Sequence, residues 1–540
     1  MKTMKKVFAL ALAVMLVVAM TVPAAAADGE EATYTITVQG NASGHIYEAY
    51  QIFSGTLDSA GVLTGVEWGS GIDVSREADL LTELQKLSRY QNATDAASVA
   101  KALDNGSSAD GLEFAAIVGK FLSDTKAVTI KADGSYQEGP TYTLSGLETG
   151  YYLIKDRDGS LSGKLDESYT EFIMSLSKNT TVNPKSGQPT IHKKVSETGV
   201  SGTYGDWVTQ SIGSQVHFDI RGTLSNELHY YDTYYYAFHD TMSQGLTYVE
   251  DSVSVTRIDA DGHTNVIDPS CYTVSVNSVN NETKLTVTFA DLLSATSGGE
   301  TLTINRSDMI RLHYIAQLNQ NTQIGIANPD TNAVQLEYSN NPNTNDRGFT
   351  HEVDVDIYTF GLEILKVDAM NSEKTLPGAT FILYRTISGV TTYAKATQQE
   401  NGIYKISQWV SAEADATPFV TGADGKLLVS GVKAGGFYVK EIAAPSGYNP
   451  LEEPLEVWIQ VQGDNLSNTD PKDDVTASVG NARVEVDPSS GVVHATIENA
   501  SGTVLPSTGG MGTTIIYAIG GILFCVALIM LVTKKRMENR

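Results

Sequence analysis

A period of two governs most of this chain. Between an N-terminal and a C-terminal apolar run, segments such as YTITVQG, VSVTRIDADGHTNVI and KLTVTFADL alternate apolar or β-branched residues with polar ones, and they are bounded by Gly, Asn, Asp or Ser. That is the pattern of half-buried strands joined by turns. The helical stretch comes early. SREADLLTELQKL (75–87) places Leu80, Leu84 and Leu87 on one face behind a Ser75 cap, and ATDAASVAKAL and GLEFAAIVGKFL carry the pattern to about residue 122. Breaks at NPKSGQP (183–189) and HEVDVDIYTFG (351–361) suggest three modules, 28–186, 187–357 and 358–504. Each has the size of a β-sandwich. The expected fold class is mainly β, as tandem sandwiches, the first with a helical insertion.

The two ends set the compartment. Lys2, Lys5 and Lys6 precede an apolar stretch from Phe8 to Val22, and small residues follow at Ala24–Ala27. This is the layout of a secretory signal peptide, residues 1–27. At the other end Ile515–Val532 is an apolar run just long enough to span a bilayer, and Lys534, Lys535 and Arg536 would hold the tail inside. The bulk of the chain is therefore expected outside the membrane. There it holds one of the chain's 2 cysteines, Cys271, because Cys525 falls in the C-terminal run. An internal disulfide is excluded, so either the cores suffice or another covalent brace takes its place. A net charge of -26 argues against nucleic acid as a partner.

Ordinary catalytic constellations do not emerge. The 9 histidines form no metal-spaced cluster. His229 and His239 flank the Tyr-rich YYDTYYYAF, which reads as a strand rather than a ligand set. DRDGS (156–160) and DADG (259–262) resemble fragments of calcium loops, lack the downstream Glu, and read as hairpin turns. No phosphate-binding Gly loop or nucleophile elbow appears. No cofactor and no metal are expected.

Certain lysines and asparagines, in contrast, fall on the wrong face. In TIHKKV, alternation sets Lys193 with Ile191 and Val195; in GLEILKVDA it sets Lys366 with Leu362 and Ile364. An ammonium in phase with a core is expensive, unless the strand is an edge from which it snorkels to water. Asn332 shares a face with Val334, Leu336 and Tyr338, and Asn499 with Val493, Ala495 and Ile497. The second and third modules thus each carry an inward Lys on the first strand and an inward Asn on the last. A buried acid between them would complete a reactive set. A desolvated amine can lose its proton, a desolvated carboxyl can keep one, and the amine can then attack the Asn amide and expel ammonia. An isopeptide bond would remain, formed once and within the fold.

Three motifs add a family resemblance. LPSTGG (505–510) precedes the apolar run and basic tail. FYVKEIAAPSGY (437–448) has Glu441, Ala444, Pro445, Gly447 and Tyr448 in the pattern Y-x-L-x-E-T-x-A-P-x-G-Y. VNPK (182–185) is similar to a V-Y-P-K motif, with Asn183 in place of Tyr. Through these, the chain resembles Spa-type backbone pilins of Gram-positive bacteria, assembled by sortases. The resemblance implies tandem immunoglobulin-like (Cna-type) sandwiches. The second would be Cna A-type, with Lys193 joined to Asn332 and Asp240 of FHDTMSQGLTY as the acid. Lys194 competes with Lys193 if the strand register slips by one. The third would be Cna B-type, with Lys366 joined to Asn499 and Glu441 as the acid. The first has no comparable set, and no internal bond is expected there.

Leu505, Pro506, Ser507, Thr508 and Gly509 would be the sorting signal within 505–540. Sortase would cleave after Thr508 and pass it to Lys185 of a neighbouring copy, leaving the subunit in a pilus anchored to peptidoglycan after a transient stay in the membrane. Implied partners are pilus and housekeeping sortases, other copies, minor pilins, peptidoglycan and host-surface ligands. The alternative is a minor pilin or singly wall-anchored adhesin, which keeps the sorting signal without needing Lys185.

Overall fold

A computed structural model describes residues 33–39, 45–59, 61–104, 106–124, 128–131, 141–183, 187–399, 402–461, 475–484, 486–487, 490–502 and 511–538. The signal peptide, Lys185 and the sorting signal Leu505–Gly509 with Thr508 lie outside them. The chain is mainly β, in tandem β domains.

In the first module the long strand Ile46–Leu57 is buried over most of its length because both of its faces are covered. On one side a small sheet packs, with Tyr34–Gln39 between Thr141–Leu147 and Thr180–Val182. On the other lie three helices, α1 (Glu77–Leu84), α2 (Ala96–Asp104) and α3 (Ser108–Val118). Leu80 and Leu84 are buried, as their spacing requires, while Leu87 is only partly so. Ser75 does not cap α1. A short 3₁₀ turn, Val74–Arg76, precedes the helix, and Asp73 accepts from the Ser75 N–H. A carboxylate two residues upstream of an N–H reaches it better than the hydroxyl of the residue itself. α3 begins with a reciprocal Ser107/Asp110 capping box.

The second module is a two-sheet sandwich. One sheet runs Thr264–Val266, Ser254–Ile258, Met309–Leu318, Gln215–Thr223 and Ile191–Ser196. The other contains Thr273–Val279, Glu282–Phe289, Tyr236–Met242 and Gly325–Ser339. Phe218, Ile220, Leu285, Val287, Leu336 and Tyr314 fill the space between.

One strand, Val353–Asp368, belongs to two modules. Val353–Thr359 pairs with Gly325–Ser339 in the second module, and Phe360–Asp368 pairs with Lys426–Val432 and, in parallel, with Val492–Asn499 in the third. The proposed boundary at 357/358 therefore falls inside a strand, and no linker separates the two. Gln320 donates to the Ile406 carbonyl (2.6 Å), Lys405 to the Thr322 carbonyl (3.0 Å) and Arg385 to the Ser211 hydroxyl (2.9 Å), which ties the modules side by side. The facing layer of the third module is built on Thr380–Ile387, Gly435–Ala443, Leu455–Val461 and Val475–Val479.

A further helix, α4 (Met511–Glu538), contains the C-terminal apolar run. Among the described residues no helix is long and apolar enough to cross a membrane. Both cysteines are free.

Candidate functional site

Strand alternation decides which side chains enter the two cores. In Ile191–Ser196 the odd positions point inward, so Lys193 is buried while its neighbour Lys194 is half-exposed and pairs with Asp206 at 2.5 Å. In Gly325–Ser339 the inward set is Asp330, Asn332, Val334, Leu336 and Tyr338. Lys193 and Asn332 lie in opposite sheets and meet across the sandwich. Asp240 sits on the strand beside Asn332, whose direct partner is Met242.

Lys193 Nζ donates to Asp240 Oδ2, both side chains being fully buried. Asp240 Oδ1 accepts from the Tyr314 hydroxyl at 2.6 Å, and that hydroxyl accepts from Asn332 Nδ2 at 2.5 Å. The ring of Phe218 lies 5.2 Å from the amine. Burial is the main cause that lowers Lys193 from 10.5 to about 8, against the opposing pull of Asp240. The same burial raises the Asp240 carboxyl above its usual range. Both shifts favour a neutral amine beside a neutral acid. Asn332 Oδ1 is buried with no protein hydrogen-bond partner, so its carbonyl end is uncompensated. Lys193, Asp240, Tyr314 and Asn332 make an unbroken hydrogen-bonded chain along which a proton can pass between the amine and the amide nitrogen.

The third module reaches the same end by other geometry. Lys366 and Asn499 are on adjacent parallel strands, in register Lys366 to Ile497 and Asp368 to Asn499. Lys366 Nζ donates to Asn499 Oδ1. Glu441 comes from the strand that pairs with Phe381, and the Phe381 ring lies 5.7 Å from the amine. Glu441 Oε1 stands 3.5 Å from Lys366 Nζ and accepts from Asn499 Nδ2 at 2.9 Å, so one carboxylate oxygen touches both the amine and the amide nitrogen. Its second oxygen is held by the Leu451 N–H at 2.8 Å. Desolvation again leads in lowering Lys366, to about 8.

In either site the amine must be neutral to attack. In freshly synthesised chain, the rate of ammonia loss, followed by mass, is expected to rise as pH passes through about 8 and then level off. A pH-independent rate would remove lysine deprotonation as the gate. In an unlinked chain these two lysines hold fewer protons folded than unfolded between about 8 and 10.5, so the stability of that form rises with pH across that window.

Other sequence candidates have ordinary surroundings. His239 donates to Glu337 at 2.7 Å, and the His229 ring lies tilted against that of Tyr230. Asp259, Asp261 and His263 gather at an exposed turn, where Asp259 accepts from the N–H groups of Asp261 and His263. The sequence missed Tyr314, whose place among Ile310, Leu312 and Ala316 reads as an ordinary core aromatic. Only its contact with Asp240 gives it a role. It also missed His45, buried between Asp156 (2.8 Å) and Glu167 (2.9 Å), a contact between segments 111 and 122 residues apart.

Residues 360–473 match the family model described as the SpaA prealbumin-like fold domain. No curated protein sequence matches the chain significantly. Among solved structures, the chain is similar to the T6 backbone pilin of serotype M6 Streptococcus pyogenes, with 17% identity over 88% of this chain and 100% of that one and a TM-score of 0.48. The full-length major pilin SpaD of Corynebacterium diphtheriae gives 16% identity, 87% and 98% coverage and a TM-score of 0.45. The pilus 2b backbone protein of group B streptococcus gives 25%, 56% and 99%, and 0.38. The family match begins at the point where the shared strand leaves the second module and takes in both Lys366 and Glu441, so this chain carries a SpaA prealbumin-like fold domain from residue 360 to residue 473.

Proposed function

We propose that the chain is the structural shaft subunit of a sortase-assembled covalent pilus, braced internally by Lys193–Asn332 and Lys366–Asn499 isopeptide bonds. The observation that carries this reading is the set of buried Lys, acid and Asn repeated in two successive β domains, each with its Lys on the first strand and its Asn on a strand near the end of the domain. A soluble binding domain has no need for two such sets. A filament under tension does, because a bond between terminal strands stops a pulled domain from unravelling. Asp240 and Glu441 are the acids of a single-turnover reaction, so the chain is a substrate of sortase rather than an enzyme with turnover.

Between subunits, Thr508 of LPSTG is joined to Lys185 of the next copy. Head-to-tail joining is a heterologous contact and gives an open fibre. The fibre's base is anchored in peptidoglycan. Mass spectrometry of cell-wall digests tests this directly: a branched peptide holding Thr508 on the ε-nitrogen of Lys185 is expected. Thr508 found only on peptidoglycan, with Lys185 free, would favour a singly anchored surface protein.

A further inference from the structure

The first and second modules are clamped together by an interface that repeats the chemistry of the two sites. Residues 157–170 of the first module lie along 338–351 of the second. Gly163 and Asp166 donate N–H groups to the carbonyls of Arg347 and Phe349 (2.7 Å each), Phe349 returns one to Lys164 (2.9 Å), and Tyr169 donates to the Asn340 carbonyl (3.0 Å). Asn340 Nδ2 reaches the Leu161 carbonyl at 2.8 Å, and the Tyr338 hydroxyl reaches that of Glu167 at 3.0 Å. Backbone and side-chain bonds on this scale hold the two segments in one register.

Lys155 lies inside this clamp. It is 4% exposed, on the strand Gly150–Asp156, with Glu48 and Glu171 as its cross-strand partners on either side. Its Nζ donates to Asp158 Oδ1 at 3.0 Å. The same oxygen accepts from Asn341 Nδ2 of the second module at 3.1 Å, and Asn341 is 3% exposed. One carboxylate oxygen thus touches the amine and the amide nitrogen, as Glu441 Oε1 does in the third module. Beside it a second relay runs from Asn343 Nδ2 to the Tyr169 hydroxyl (2.9 Å) and on to Glu171 Oε2 (2.7 Å). That sequence of groups matches Asn332, Tyr314 and Asp240. Burial pushes the Glu171 carboxyl up to about 7, the direction found for Asp240.

We infer that Lys155 of the first module becomes joined to Asn341 of the second by a third isopeptide bond, one that crosses the domain interface. The Lys155 ammonium gives its proton to a neighbouring carboxylate. The neutral Nζ attacks Asn341 Cγ, one Nζ proton passes to Nδ2, the Cγ–Nδ2 bond breaks, and the departing ammonia takes the first proton back from the acid and leaves as ammonium. One C–N bond replaces another and the carboxylate is restored. The half-exposed Asp158 leaves the site an exit for ammonia. The link would close a loop containing the junction segment with Lys185, fixing the first module against the second on both sides of the acceptor lysine.

The test is peptide mapping of the purified full-length protein. A branched peptide containing Lys155 and Asn341 is expected, with no tryptic cleavage after Lys155. A Lys155→Arg variant is expected to keep one more ammonia in its mass than wild type, while the Lys193 and Lys366 branched peptides persist. An unbranched wild-type peptide ending at Lys155, or one branched to Asn343 instead, would overturn the assignment. Because the wild-type protein is read directly, a folding failure of the variant does not decide the matter. The Lys193 and Lys366 peptides appear in the same digest, so loss of the Lys155 branch alone counts against this bond and not against the shaft reading.

Discussion

Replacing Glu441 by Ala is expected to leave Lys366 and Asn499 unlinked, so that the variant keeps one more ammonia than a linked chain of its own sequence, and to make the third module the first to yield to protease. Two losses combine. The carboxylate is the group that touches both nitrogens, so without it the proton has no route from amine to amide. The unreacted lysine is then left fully buried without its acid, and stranding one member of a buried pair costs about 3–5 kcal/mol. The absent bond adds to this. Lys366 and Asn499 are 133 residues apart, and by analogy with disulfides closing so long a loop is worth roughly 5 kcal/mol. Intact mass together with limited proteolysis measures both effects. An unchanged mass in the variant would show that Glu441 is not needed for linkage.

Replacing Lys185 by Ala is expected to abolish the high-mass ladder of cell-surface material on a denaturing gel, leaving single subunits that still carry their internal bonds. The effect is all or none, because each copy accepts its neighbour through one amine. It also separates the two kinds of bond. On the proposed reading, the Lys193 and Lys366 bonds depend on burial within the second and third modules, whereas joining between subunits would depend on a lysine beside Pro184 between two modules. A ladder that survives would assign the acceptor role to another lysine.

Much of this was legible in the chain. The inward phase of Lys193, Asn332, Lys366 and Asn499 follows from counting by two along single strands, and burial places all four where that count puts them. Register was open at Lys193 and Lys194, since a slip of one residue exchanges the faces. Pairing of Ile220 with Lys193 sets it. The Ser75 cap was misread because a 3₁₀ turn intervened, and the boundary at 357/358 could not be seen to lie within a strand because the inward phase changes there, from Val355 and Ile357 to Tyr358, Phe360 and Leu362, as it would between two separate strands.

The sequence by itself determined the mainly β architecture, the helical insertion and the identities of the inward lysines and asparagines, because each depends on periodicity within a few residues. The family resemblance named Asp240 and Glu441; only the tertiary structure decided how those groups meet and what joins them: Tyr314 between Asp240 and Asn332, one Glu441 oxygen between Lys366 and Asn499, and Asp158 shared by Lys155 and an asparagine of another module. Those meetings depend on which strands pair and which sheets face, and such contacts join residues too far apart in the chain for any local pattern to encode.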